Sequence, residues 1–201
     1  MRDAYKKLYL RRKDTSTVSF SGWQRRIEKG GILEETYIYS IGHGRKPIEV
    51  LIEELRSFEI TYLADVRSIP YSRFNPQYNQ HALKQELEKH GITYVYLGDL
   101  LGGRPKNEDC YPDGKISYEI IVAKSFFKEG LKRLLTAQQK HIPVAVMCSE
   151  TKPEECHRSR LIGKELLNLN LSVKHIIGIK ELKQQDELVL QDDKPSRKNK
   201  G

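Results

Sequence analysis

Short apolar runs and longer stretches of helical spacing alternate along most of this chain. Positions 37–41, 61–66, 92–97, 143–148 and 173–179 are rich in Val, Ile, Tyr and Leu and are bounded by turn-forming residues, so each predicts a strand. Between the strands the period changes. Ile48, Leu51, Ile52, Leu55 and Phe58 fall on one face of a helix that begins at Pro47. Leu83 and Leu87 mark a second helix over about 79–90, closed by Gly91. Helical sequence runs over 117–140, with a break expected near Gly130, and Leu161, Ile162, Leu166 and Leu167 give a last helix over about 155–168. Strands alternating with helices predict an α/β fold. It has three layers: a mainly parallel sheet of about five strands, with helices on both faces.

The pattern weakens at both ends. Residues 1–36 form a basic extension in which Tyr5, Leu8, Tyr9 and Leu10 are interleaved with Arg11, Arg12 and Lys13. That segment is either an arm for nucleic acid or an element packed on the domain, with Trp23 docking on the core. The single α/β domain is expected over 37–182. Residues 183–201 read as a polar basic tail, disordered from about Gln184.

Composition narrows the classes. The 201 residues carry a formal net charge of +8, with nine Lys and Arg against five Asp and Glu in residues 1–36 alone. A pI near 9.3 points to an anionic partner such as a nucleotide, nucleic acid or phosphate, or simply to solvated flanks. Three cysteines make no disulfide framework, and the N-terminus lacks the apolar core of a signal peptide. With no apolar run of membrane-spanning length, the expectation is a cytoplasmic protein with reduced thiols, no membrane partner and an open oligomeric state. No G-x-G-x-x-G follows the first strand and no G-K-[ST] is present, which argues against dinucleotide and P-loop sites.

The polar residues that stand out all follow a strand. They are Gly42 and His43; Asp65, Arg67, Ser72 and Arg73; Gly102, Gly103 and Arg104; and Cys148, Glu150, Cys156, His157 and Arg158. A parallel sheet brings these segments to one edge, where open α/β folds bind ligands. Each residue also has a plain structural reading. His43 capping a turn, Asp65 and Arg67 forming a structural ion pair, and Gly102–Gly103 making a tight turn need no ligand. Tyr71, Phe74, Tyr78, Tyr94 and Tyr96 are either stacking platforms or packing residues.

The motifs Y-S-I-G-H-G, L-A-D-V-R-S-I-P-Y-S-R-F-N, G-D-L-L-G-G-R-P and V-A-V-M-C-S-E-T-K-P-E-E-C-H-R, in this order, resemble the domain of unknown function 488 family over about residues 37–179. The resemblance implies a compact α/β domain with a polar site built from those motifs, and supplies no reaction. Three readings follow. In the first, an enzyme acts on a phosphate-bearing ligand, a nucleotide or nucleic acid. Arg67, Arg104 and Arg158 hold the anion beside Ser72, Gly42, Gly102 and Gly103. His43 or His157 acts as acid or base, oriented by Asp65 or Glu150, and Cys148 or Cys156 is the nucleophile. In the second, a rhodanese-like sulfur-transfer or thiol redox enzyme uses the same cysteines, although seven residues separate them and the C-x5-R spacing of cysteine phosphatases is missing. In the third, the chain is a non-catalytic nucleic-acid-binding module. No cofactor is predicted. Zinc is a lesser alternative, because no C-x2-C or H-x3-H spacing occurs and Cys156 and His157 are expected to point apart on a helix.

Overall fold

The computed structural model describes residues 37–192. The expectations for residues 1–36, including the docking of Trp23, and for residues 193–201 lie outside that range. Six strands form one sheet: β1 (Ile38–Gly42), β2 (Tyr62–Asp65), β3 (Thr93–Tyr96), β4 (Val144–Cys148), β5 (Val173–Gly178) and β6 (Glu181–Gln184). The spatial order is β3-β2-β4-β1-β5-β6, parallel throughout except for the antiparallel β5–β6 pair. The α/β architecture is therefore the one the alternation predicts, with one strand more.

β4 is apolar along its whole length because both of its faces are covered. Val144, Val146 and Cys148 belong to one core, with Phe127, Leu131 and Leu134 of α5 (Ser125–Gln139) and with Leu161 and Leu166. Ala145 and Met147 belong to the other, with Leu51, Ile52 and Leu55 of α1 (Ile48–Ser57) and Leu83 and Leu87 of α2 (Gln80–Lys89). Two short helices, α3 (Gly98–Leu101) and α4 (Tyr118–Ala123), complete the first layer; the Ser117 hydroxyl caps α4 by accepting from the Ile120 N–H.

The observed elements depart from the predicted ones at three places. The break in 117–140 falls at Lys124, whose backbone is extended, and Gly130 lies inside α5. A side chain at Gly130 would crowd Leu100 and Leu101 of α3, so this glycine serves helix packing and not helix termination. The helix expected over 155–168 is three pieces: a 3-10 turn (Pro153–Glu155), a π-helix (Arg158–Gly163) and α6 (Lys164–Asn168). The chain from Gln184, expected to be disordered, continues as α7 (Gln185–Asp192). α7 is pinned by Gln185, whose Nε2 donates to the Ser159 carbonyl in the π-helix and whose Oε1 accepts from His175 at 2.7 Å. Among the described residues no helix is long and apolar enough to cross a membrane.

The register fixes what meets at the carboxyl edge. Gly42 lies opposite Cys148, and Asp65 opposite Met147, so β1, β4 and β2 end side by side.

Candidate functional site

Two polar clusters sit at this edge, one on each face of the sheet. The first is built on Asp65, which ends β2 fully buried. A buried carboxylate requires partners, and here every one is supplied. Arg67 folds back so that its Nε lies 2.9 and 3.2 Å from the two carboxylate oxygens and its second terminal nitrogen 2.5 Å from Oδ2. The Arg67 N–H donates to Oδ1 and the Tyr94 hydroxyl to Oδ2. Burial and the Asp65 carboxylate raise the Tyr94 phenol, which keeps it a donor. Arg67 also donates to the Tyr78 carbonyl at 2.8 Å, and its remaining nitrogen lies 3.3 Å from His43 Nε2.

His43 is held as tightly. Its ring stacks on Tyr78 with centroids 4.0 Å apart, and Nδ1 lies 2.9 Å from the Gly44 carbonyl. A carbonyl can only accept and a guanidinium can only donate, so Nδ1 carries the proton and Nε2 accepts from Arg67. Burial, reinforced by the Arg67 charge, lowers the imidazole to about 4, so His43 is neutral at neutral pH. Both ring nitrogens are engaged. Beside this cluster opens a cleft of about 510 Å³, lined by His43, Arg45, Arg67, Tyr71, Ser72, Asn75 and the Ser149–Glu150–Thr151 loop after β4.

The second cluster joins Cys148, Cys156 and His157, whose Sγ, Sγ and ring nitrogen all lie within 4.8 Å of one another. His157 Nε2 is 3.0 Å from the Val66 carbonyl and must donate to it, which leaves Nδ1 facing both sulfurs at 3.7 Å. The convergence corrects the expectation that Cys156 and His157 point apart. Cys156 closes the 3-10 turn in an extended conformation and His157 opens the π-helix, so the pair straddles a change of backbone direction. The two thiols are driven in opposite directions. Hydrogen bonding from Cys156, with help from the Glu150 amide, lowers Cys148. Donating to Cys148, together with burial, raises Cys156. No disulfide is formed among the described residues, and Cys110 is buried elsewhere in the core.

The other residues singled out from the sequence have structural partners. Arg158 is fully buried and donates to the Ser40 hydroxyl and to the carbonyls of Glu150 and Thr151, stapling the β4 loop to β1. Glu150 contributes that carbonyl, while its side chain is exposed. A Cβ at Gly42 would overlap the Glu150 carbonyl, and one at Gly103 would press on the His157 ring, so both glycines admit protein atoms. Gly102 packs under Ser68 in the same way. Ser72 caps its loop through the Asn75 N–H, and Arg104 is exposed, its N–H held by Ser68. Of the five aromatic residues weighed as stacking platforms, Tyr71 and Phe74 are the most exposed, at 67% and 82%.

Sequence reasoning missed the support behind Arg158. His175, fully buried on β5, lies 2.9 Å from Ser40 Oγ and passes its other nitrogen to Gln185. The signal was present, because a histidine between Val173 and Ile176, on a strand of this sheet, needs polar partners if it is buried.

Comparison with known proteins gives one result. Residues 47–164 match the family model described as "Domain of unknown function DUF488". No curated protein and no solved structure matches. The matched stretch contains Asp65, Arg67 and the whole second cluster, and begins after His43. It spans more than half of the chain, which therefore belongs to the DUF488 family.

Proposed function

We propose that this protein is a thiol enzyme, a dithiol oxidoreductase that reduces a small sulfur electrophile such as a disulfide. The observation that carries this reading is the close grouping of Cys148 Sγ, Cys156 Sγ and His157 Nδ1. In the first step the Cys148 thiolate attacks one sulfur of R–S–S–R′, forming Cys148–S–S–R and releasing R′S⁻, which takes up a proton. In the second, His157 Nδ1 accepts the Cys156 proton and the Cys156 sulfur attacks Cys148 Sγ. That step expels RS⁻ and leaves a Cys148–Cys156 disulfide. Two electrons pass from the dithiol to the substrate, and an external thiol restores the reduced pair. Cys148 is only 5% exposed, which favours small substrates.

The phosphate reading is less well supported, because Arg67 and Arg158 already spend their guanidinium groups on Asp65, Ser40 and backbone carbonyls. The test is a single-turnover reaction with 5,5′-dithiobis(2-nitrobenzoate). The wild-type chain should release two thiolates at this site and end with Cys148 and Cys156 joined in one cross-linked peptide. Cys156→Ser should release one and retain the aryl adduct on Cys148, and Cys148→Ser should release none there. A wild-type chain that ends with adducts on both cysteines and no cross-link would refute the reading.

A further inference from the structure

The same three side chains also form a donor set suited to a metal ion. Two sulfurs and an imidazole nitrogen converge, the nitrogen standing 3.7 Å from both. A tetrahedral zinc ion, with Zn–S of about 2.3 Å and Zn–N of about 2.0–2.1 Å, places sulfur and nitrogen about 3.6 Å apart and the two sulfurs about 3.8 Å apart. The three donor atoms here lie within 4.8 Å of one another, so a small inward movement closes the site.

The surroundings are arranged as a metal's outer shell would be. The Nε2–H of His157 donates to the Val66 carbonyl at 3.0 Å, which fixes the ring and aims its Nδ1 lone pair at the sulfurs. Gly103 packs closely against the imidazole. The ligands come from the end of β4 and from the junction of the 3-10 turn and π-helix, and the buried Arg158 staple holds these two segments together. Two thiolates and an imidazole favour a soft or borderline cation over magnesium or calcium.

We propose that Cys148, Cys156 and His157 bind one zinc ion when both thiols are reduced, leaving the fourth position to water or a small ligand. The ion would occupy the sulfurs that the proposed reaction oxidises, so zinc loading and the Cys148–Cys156 disulfide exclude each other. That regulatory consequence, though not the binding itself, rests on the thiol-enzyme reading.

The experiment uses the full chain, reduced and freed of metal by chelation, titrated with cobalt(II) chloride and then with zinc chloride. One equivalent of cobalt should give the sulfur-to-cobalt charge-transfer and intense visible bands of a tetrahedral thiolate site, and one equivalent of zinc should abolish them. Cys156→Ser and His157→Ala should each weaken binding at least tenfold, while Cys110→Ser leaves it unchanged. In the wild-type chain, which avoids any question of misfolded variants, zinc should slow alkylation of Cys148 and Cys156. Absence of the tetrahedral spectrum together with unaltered alkylation overturns the proposal. If the single-turnover disulfide still forms, the thiol-enzyme reading survives that loss. If the metal binds but no disulfide forms, the thiol-enzyme reading fails and the metal site stands.

Discussion

Asp65 is the residue whose loss should be felt most directly. Its carboxylate neutralises a guanidinium that is only 4% exposed, and it gathers Arg67, Tyr94 and, through Arg67, His43 into one network. Removing one partner of a buried pair leaves the other charge without compensation, which typically costs about 3–5 kcal/mol. Asp65→Asn should therefore lower stability by about that amount in urea denaturation, with His43 losing its stacked position on Tyr78. A far smaller effect would mean that Arg67 finds another route to solvent. At this scale the sequence was informative about identity and weak about arrangement. An aspartate closing an apolar strand two residues before an arginine announces a pair. The convergence of Cys156 and His157 could not be read in the same way, because it depends on a backbone kink that side-chain spacing does not encode.

Among the elements, the π-helix governs the site. A π-helix carries i→i+5 bonds. Here the Ser159 carbonyl accepts from the Lys164 N–H and also from Gln185 of α7, and Gly163 leaves room for that amide. Gln185→Ala would leave a ring nitrogen of buried His175 without its partner, at a cost of about 1–3 kcal/mol for the unsatisfied group, and would remove the tie from α7 to the Ser159 carbonyl. Gly163→Ala should displace the same amide by overlap. In both variants, hydrogen exchange should quicken across 157–164, next to the cysteine cluster, while α1 and α2 keep their protection. Neither the π-helix nor β6 was legible in the sequence. Leu161, Ile162 and Leu166 keep apolar spacing whichever helix type carries them, and Glu181–Gln184 has a single apolar residue, Leu182. β4 was legible for the opposite reason, since burial on both faces demands an unbroken apolar run.

For the whole molecule, the charge and the acid response belong to different parts. Residues 37–192 contain 22 Lys and Arg against 21 Asp and Glu, so the described fold presents almost no net charge and most of the basic excess lies in the flanks. The acid response is set inside. Burial holds His43 and His175 neutral, each lowered to about 4 from an ordinary value near 6.5. Between those values the unfolded chain binds protons that the native one refuses, so stability is full above about pH 6.5 and falls as pH drops toward 4. Each group contributes on the order of 3 kcal/mol across that window. Denaturation midpoints measured from pH 7 to pH 4.5 should decline steadily, and His43→Asn should reduce the slope. A flat profile would place both imidazoles in contact with water.

The position of β1 carries one last consequence, for how the molecule comes to be folded. Its two neighbours are β4 and β5, which begin about a hundred residues and more further along the chain. β2 and β3 can pair with each other early, but the gap between β1 and β2 stays open until β4 arrives to fill it. During synthesis the central strand must therefore wait, with both edges unpaired, until the ribosome has released the segment that carries Cys148. Such long-range pairing makes folding slow and leaves sticky strand edges exposed meanwhile. The carboxyl edge of the sheet is thus among the last parts of the protein to come into existence.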